Sequence, residues 1–487
     1  VIRQLLTESV FLALLGGALG IGLAGWGTGL FSKLGPAHLP VASASAVNWI
    51  VLAFSTALAT SAGVLFGLAP AVQLSSLNLD EFLKERGGGP AVGGGRLRSL
   101  LMISEVAVSV ILLIAAGLLI RSFIHLHEVD PGFATKNIAT IPVELPRFSY
   151  PGPSQQALLY RQVIGRVGRL PGVESVGAID DLPLTSDRDA TSFTIEGLPP
   201  FPLGQTPFTQ VRTVTPDYFR TMHIPIIQGR SVSEQDTVSA LPVIVINQSF
   251  ARRFFLREDP IGRRMKFGLP TERSRWLAIV GVVGDVRDLG LEAKADLEVY
   301  LPYEQNPSSY MNLVVATKDN PSALATGLRE EIHRLDKDLP LLSVRSMEAV
   351  LAESMSERQF MMSLMGVFAG LALLLAAVGV YGVISYSVSQ QTRHIGIRIA
   401  LGAQCGDVLK LVLKKAIREA LLGVVIGLAG ALALTRIIKG QLYQVSTADP
   451  ITLGGVVLLL LTTALIASWL PARRAAKVDP MEALRYE

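Results

Sequence analysis

The side chains that would do chemistry in this 487-residue chain are few and poorly arranged for it. Asp180-Asp181 and Asp187-Arg188-Asp189 would bind a cation if further oxygen ligands followed at set spacing, but none do. A solvated acidic loop is the simpler reading. The six histidines are scattered, with no His-Glu-x-x-His pair to put two imidazoles on one helical face for zinc. No serine lies in Gly-x-Ser-x-Gly, the sharp turn that exposes a nucleophile. Cys405 is the only cysteine, which excludes an intrachain disulfide and a two-cysteine metal site. The run Gly87-Gly88-Gly89-Pro90 through Gly93-Gly94-Gly95 ends in Gly95-Arg96-Leu97. A phosphate loop instead needs Gly-Lys-Ser/Thr there, to set an ammonium and a magnesium ligand on phosphate, so the run reads as a flexible linker. That tripeptide occurs nowhere in the chain. The sequence therefore predicts no catalytic residue and no cofactor or metal site, and any ATP chemistry belongs to another polypeptide.

The elements around these residues explain why. Half of the residues are hydrophobic (50%) and only 17% are charged, beyond an ordinary soluble domain. The stretch Gln359 to Thr392 holds no charge for about 34 positions, more than the ~20 residues that cross a bilayer core. Six spans are predicted: about Gln4–Phe31, Trp49–Leu74, Leu100–Ile120, Phe360–Ser387, Leu411–Ile438 and Leu453–Leu470. The third and fifth are weaker, because Glu105 lies in one while Lys414, Lys415, Arg418 and Glu419 shorten the other. Both would begin as interfacial amphipathic turns. Glu105, near the basic boundary at Arg98, reads as a snorkelling or helix-packing residue more readily than as an ion-coupling one.

The net charge of +4 comes largely from basic patches beside the spans, where Lys and Arg set topology. With no continuous basic face interleaved with aromatics, nucleic acid is excluded as a partner. One set of connections carries Lys84, Arg86, Arg96 and Arg98, then Arg393, Arg398, Lys410, Lys414 and Lys415, then Arg473, Arg474, Lys477 and Arg485. The opposite short loops hold little beyond Lys33 and Lys439. The basic side is cytoplasmic by this rule, which puts the large charged region outside.

That region, 123–358, is roughly 230 residues and large enough to bury a core. Short β-branched runs predict strands at Ile138–Val143, Val173–Ile179, Thr209–Val214, Pro242–Ile246, Trp276–Val283 and Leu313–Thr317. Helical spacing predicts helices at Gln155–Leu170, Gln248–Leu256 and Ala323–Leu335, giving a mixed α/β domain of two subdomains.

Internal repetition links the flanks. Ala13-Leu14-Leu15-Gly16-Gly17-Ala18-Leu19-Gly20 matches Ala420-Leu421-Leu422-Gly423-Val424-Val425-Ile426-Gly427, and Leu68-Ala69-Pro70-Ala71 matches Leu470-Pro471-Ala472-Arg473. Duplication of a membrane unit is the reading. Its boundaries are 1–86 for the first copy with two spans, 87–98 for a linker, 99–122 for a span, 123–358 for the external domain and 359–487 for the second copy with three spans. The opening at Val1, inside a helical pattern, predicts that the N-terminal portion of the first copy lies outside this sequence. The pairs Gly16/Gly20 and Gly423/Gly427 have the four-residue spacing that lets helices approach closely.

The segment behind the long apolar run, Arg393-His394-Ile395-Gly396-Ile397-Arg398-Ile399-Ala400-Leu401-Gly402-Ala403, has the properties of a short basic projection. Its arginines anchor it inside, and Ile395, Ile397, Ile399 and Leu401 offer a surface for an apolar groove. Gly396 and Gly402 permit close approach or a helix end. This segment resembles the cytoplasmic signature of FtsX-like ABC permeases of the MacB superfamily. Thr215-Pro216-Asp217-Tyr218-Phe219 to Gly229-Arg230, Val243-Ile244-Val245-Ile246-Asn247-Gln248 and Asp259-Pro260-Ile261-Gly262 are similar to the periplasmic core domain of that superfamily. The C-terminal Pro471 to Pro480 fits as well, and the duplicated plan resembles the acidobacterial duplicated orphan permease group.

The resemblance implies an α-helical membrane protein with a MacB-type periplasmic domain in a bacterial inner membrane. It implies an ABC permease subunit that couples ATP hydrolysis on a separate ATPase to movement of the external domain, for export by mechanotransmission. The docking residues would be Arg393, Ile395, Gly396, Ile397, Arg398, Leu401, Gly402 and Ala403. Partners would be that ATPase, the bilayer, and a periplasmic adaptor or outer-membrane channel. The alternative is an FtsX-type signalling or scaffold protein that activates a periplasmic hydrolase or sensor.

Overall fold

The computed structural model describes residues 2–34, 49–75, 92–146, 148–185, 189–199, 201–202, 206–256, 258–268, 274–340, 343–390, 392–401, 404–438 and 444–475. They form two compact units, one of residues Val1–His125 with Arg358–Glu487 and one of Leu126–Glu357.

The first unit is helical: α1 (Ile2–Leu34), α2 (Trp49–Ser75), α3 (Val92–His127), α8 (Met347–Gln390, whose start up to Glu357 belongs to the second unit), α9 (Thr392–Ala400), α10 (Cys405–Ile438) and α11 (Pro450–Ala475). Among the described residues five helices are long and apolar enough to cross a membrane: Thr7–Gly27, Arg98–His127, Met347–Gln390, Gly406–Arg436 and Pro450–Arg474. The predicted count was six. The expected second span is helical over Trp49–Ser75, but its described apolar stretch is the shorter Trp49–Val64. The predicted linker also differs, since α3 begins at Val92 and runs through Gly93-Gly94-Gly95. Backbone hydrogen bonding there prevails over the conformational entropy that disfavours glycine in a helix.

Apart from α9 and the basic start of α10, the long helices are apolar on nearly all sides, as lipid-facing helices are. On α8, Val367, Phe368, Leu371, Leu374, Leu375 and Val378 are exposed, while Ala369, Ala372, Ala376, Val380 and Ile384 are buried. Met102, Val106, Val110, Ile114 and Leu118 of α3 share one core with the buried stripes of α8, α10 and α11.

The second unit is built on an eleven-stranded sheet. Its strands are β1 (Ile138–Glu144), β2 (Val173–Ile179), β3 (Ala190–Ile195), β4 (Phe208–Val214), β5 (Ile226–Gly229), β6 (Val243–Asn247), β7 (Arg264–Phe267), β8 (Leu277–Val283), β9 (Glu298–Pro302), β10 (Tyr310–Thr317) and β11 (Arg345–Ser346). Four helices accompany them: α4 (Pro153–Val167), α5 (Tyr218–Thr221), α6 (Gln248–Phe254) and α7 (Pro321–His333). The six predicted strands and three predicted helices are present with ends shifted by a few residues. Strands β3, β5, β7, β9 and β11 were not anticipated.

The strand order is β11-β1-β10-β2-β4-β3-β7-β8-β6-β9, and β9 also pairs with β4, so β4-β3-β7-β8-β6-β9 closes on itself. Closure removes sheet edges that would otherwise seek partners. The open end, β11-β1-β10-β2, packs its apolar face on α4 and α7 through Leu159, Tyr160, Val163, Leu328 and Ile332. Phe193, Ile244, Ile246, Phe250, Met265 and Ile279 fill a separate core of the closed part. The two expected subdomains are thus joined in one sheet, and β2 and β4 share one register pair, Ile179 and Val214, flanked by the bonds Asp180 amide to Thr213 carbonyl and Thr215 amide to Ala178 carbonyl.

Candidate functional site

Helix α8 runs 44 residues from Met347 to Gln390, and α9 follows at Thr392. A helix places residues four apart on one face. Ile395 is accordingly buried with Val408, and Val388 and Ile399 pack against that pair. Ile397, Arg398 and Leu401 lie exposed, Leu401 at 82%. The amide of Leu401 donates to the Ile397 carbonyl at 3.0 Å, closing the last turn. The expectation that Ile395, Ile397, Ile399 and Leu401 form one docking surface is therefore corrected. Their every-second-residue spacing would align them on a strand, but the helix sends Ile395 and Ile399 inward and Ile397 and Leu401 outward. Gly396 is buried, Arg393 is in the first turn of α9, and Gly402 and Ala403 lie outside the described residues.

The helices behind this projection meet through missing side chains. A Cβ added at Gly423 would lie 2.8 Å from Val106 Cβ and 2.9 Å from the Ile103 carbonyl oxygen. At Gly427 it would lie 2.6 Å from Val110 Cβ and 2.7 Å from the Ala107 carbonyl oxygen. Only glycine permits this approach of α10 to α3. Gly16 and Gly20, expected to act likewise, have nothing within 4 Å of that point. The α1–α2 approach falls instead at Gly17, 3.3 Å from Ala59 Cβ, and at Gly63, 2.6 Å from Ala13 Cβ. A shift of one residue turns a helix by about 100°, so the Gly16-Gly17 pair could not be resolved by spacing alone.

Polar contacts pin the same bundle. Ser109 donates to the Ala372 carbonyl at 3.0 Å and Arg121 pairs with Asp449. Ser99 donates to Glu419 at 2.5 Å, and the other oxygen of that buried carboxyl has no partner among the described residues. Arg98 stacks over Tyr386 with its guanidinium carbon 3.6 Å from the ring centre, and Lys415 donates to Ser387 at 2.9 Å. Glu105 occupies the space a Cβ at Gly379 would need, which is a packing role at a helix contact.

In the second unit the acidic pair is not a solvated loop. Asp180 accepts from the amides of Thr213 (2.9 Å) and Asp181 (2.8 Å), and Asp181 pairs with Arg212 at 2.5 Å. Asp187 and Arg188 lie outside the described residues. Arg212, 2% exposed, also pairs with Asp288. Burial opposes its charge, and Asp288 and Asp181 more than offset this and hold the guanidinium protonated. Glu298, which accepts from the Tyr300 hydroxyl, is raised to about 8 by burial and by the Asp288 charge. Burial likewise lifts Asp180 to about 6, against the hydrogen bonds it accepts. The sequence carried one signal of this network: charged residues at inward positions of apolar strands, Arg212 in β4 and Glu298 in β9.

An open cavity of about 970 Å³ lies elsewhere in this unit, lined by Asp130, Phe133, His223, Ser249, Asp285 and Lys294 among others. Asp285 is committed to the Ser249 amide (2.6 Å) and hydroxyl (2.9 Å). No group of three His, Cys, Asp or Glu residues able to hold a metal ion occurs among the described residues.

Comparison with known proteins divides the chain along similar lines. Residues 99–331 match the MacB-like periplasmic core domain and residues 366–480 the FtsX-like permease C-terminal family. The uncharacterized ABC transporter permease YknZ of Bacillus subtilis is 29% identical over 289 residues, covering 57% of this chain and 70% of that protein. The pyoverdine export ATP-binding/permease protein PvdT of Pseudomonas aeruginosa is 28% identical over 283 residues, 55% of this chain and 41% of its own. The macrolide export ATP-binding/permease protein MacB of Marinobacter nauticus is 30% identical over 280 residues, 54% and 41% respectively. The chain thus spans less than half the length of the two ATP-binding/permease relatives.

Proposed function

We propose that this chain, an ABC transporter permease of the MacB/FtsX type, couples a separate ATPase to an external domain in the inner membrane. The carrying observation is the exposed face of α9, where Ile397, Arg398 and Leu401 stand out while Ile395 and Ile399 tie the helix to Val388 and Val408. A helix held on one side and free on the other, at the end of a 44-residue helix, suits a lever. ATP-driven closure of the partner would pull α9, and α8 would pass the movement to the domain outside. Export by mechanotransmission, with an adaptor or outer-membrane channel as further partner, is the activity this reading implies.

The duplicated plan belongs to the same reading. Like α10 and α11, α1 and α2 pack as an antiparallel pair, and Pro70 and Pro471 lie toward the ends of α2 and α11. In this reading the first pair is a second copy of the membrane unit, as in the acidobacterial duplicated orphan group, so that one polypeptide stands in for a permease dimer.

The test is copurification of the ATPase with the full chain, together with stimulation of its ATPase activity. Arg398→Glu and Leu401→Asp are expected to abolish both, whereas Lys136→Glu, an exposed charge in the second unit, leaves them intact. Retention of both signals by both α9 variants would refute the docking.

A further inference from the structure

Helix α10 has two faces of different chemistry. Val408, Val412, Ala416, Glu419, Ala420, Gly423 and Val424 are buried toward the bundle. On the opposite side Lys410, Lys414 and Arg418 are exposed one turn apart, and the same side continues as Leu421 and Val425. These residues, with Leu413 and Ile417, line an open concavity of about 710 Å³. No carboxylate pairs with Lys410, Lys414 or Arg418 among the described residues. The nearby acids on α10 are engaged elsewhere: Glu419 accepts from Ser99, and Asp407 accepts from the Gln404 amide at 3.3 Å. Lys415 faces Ser387 instead.

From Lys410 to Arg418 is eight helical steps, about 12 Å, and the apolar half follows directly along the axis. A soluble acidic partner would satisfy the cations and leave Leu421 and Val425 bare. A zwitterionic phospholipid would cover the apolar half and offer a phosphate, but its headgroup ammonium would add a fourth cation to the cluster. One ligand chemistry meets both halves in the observed order: a phosphate with net negative charge, joined to an acyl chain.

We infer that the face from Lys410 to Val425 is a binding site for an anionic phospholipid, whose phosphate sits among Lys410, Lys414 and Arg418 and whose acyl chain lies along Ile417, Leu421 and Val425. The site requires that α10 enter the bilayer, and it does not depend on docking of an ATPase at α9. Occupied, it would hold α10 at a fixed depth in the membrane, because the cations stay at the headgroup level while Leu421 and Val425 enter the hydrocarbon.

Native mass spectrometry of the full chain in neutral detergent, titrated with phosphatidylglycerol and separately with phosphatidylcholine, tests this. A cation beside an anionic lipid surface contributes about fivefold in affinity at low salt. Arg418→Gln alone should lower phosphatidylglycerol affinity by about that factor. The variant Lys410→Gln/Lys414→Gln/Arg418→Gln should bring the two lipids to within about twofold of each other. Its melting temperature without lipid should equal wild type, and if it fails to fold, Arg418→Gln and the salt dependence of the wild-type preference carry the test. A control without Lys136, Arg169 and Lys294 should keep the preference. The proposal falls if wild type shows no preference or if the Arg418 variant keeps all of it. It also falls if glycerol phosphate displaces the lipid completely, which would mean a free-phosphate site. Loss of ATPase copurification by the triple variant with lipid preference unchanged would assign the face to the protein partner and overturn it as well.

Discussion

Gly427→Ala is the sharpest test of the bundle, because one methyl group must go where no side chain can yield. The added Cβ would lie 2.7 Å from the Ala107 carbonyl oxygen and 2.6 Å from Val110 Cβ. Both atoms are fixed by α3, one of them by its backbone. The substitution gains about 1 kcal/mol of helix propensity, since alanine loses less backbone entropy. Overpacking a close contact costs about 1–3 kcal/mol, and contact with backbone places this site toward the upper end. The net expectation is destabilisation by about 1–2 kcal/mol. Gly16→Ala isolates the propensity gain, because nothing lies within 4 Å of its Cβ position. It should therefore stabilise, or leave stability unchanged where membrane burial reduces the propensity term. The assay is thermal unfolding of the full chain in one detergent, with both variants scanned at the same rate. A Gly427→Ala protein that melts at or above Gly16→Ala would refute the reading that α10 touches α3 through its glycines.

The other predictions concern charges. Asp288→Asn leaves the buried Arg212 guanidinium still paired with Asp181, and the full chain should lose about 1–3 kcal/mol of stability by chemical denaturation. Arg212→Met leaves the buried Asp288 carboxylate and that of Asp181 without their shared cation and should cost about 3–5 kcal/mol, more than Asp288→Asn. The Glu298 carboxyl, lifted from 4.5 to about 8, stays protonated in the fold while the unfolded chain ionises above 4.5. Its contribution is therefore fully present below pH 4.5 and declines as pH rises to about 8, with Asp180 adding to the decline between 3.8 and about 6. The protection of β9 amides relative to their intrinsic exchange rates should consequently be higher at pH 5 than at pH 8, and Glu298→Gln should remove most of that difference. A pH-independent protection in the wild type would contradict the burial argument. Arg121→Ala should loosen the α3–α11 contact, read as faster exchange at the start of α11, since Asp449 then keeps only the amide and hydroxyl of Thr452.

What the sequence disclosed follows from which signals are local. Long apolar runs located α1, α3, α8, α10 and α11, since nothing but burial or lipid accounts for them. β-branched runs located β1, β2, β4, β6, β8 and β10, because those strands are buried on their inner faces by their own composition. β5 and β7 were missed because of their length. Each is only four residues long, so the Ile226-Ile227 pair of β5 and the alternation of Arg264-Met265-Lys266-Phe267 in β7 are too short to stand out as strands. They exist because β8 supplies a partner, a long-range fact. The candidate coupling site was legible in part: Arg398 and Leu401 stand exposed, but alternate isoleucines suggested a single surface that the helical turn divides.

The buried charges gather at the narrowest strand pairing in the sheet. Between the open strands and the closed ring, β2 and β4 share the one pair Ile179 and Val214. Arg212 is on β4, Asp181 follows the end of β2, and Asp288 follows β8. The guanidinium thus ties the open part to two sides of the ring beside a short joint, where the Asp180 amide donates to the Thr213 carbonyl and the Thr215 amide to the Ala178 carbonyl, both at 3.0 Å. Its planar fork bonds both carboxylates at once and fixes their angle, which an apolar contact cannot do. For a domain proposed to be moved from one end, that rigidity keeps a pull on one part from being absorbed at the joint before it reaches the other.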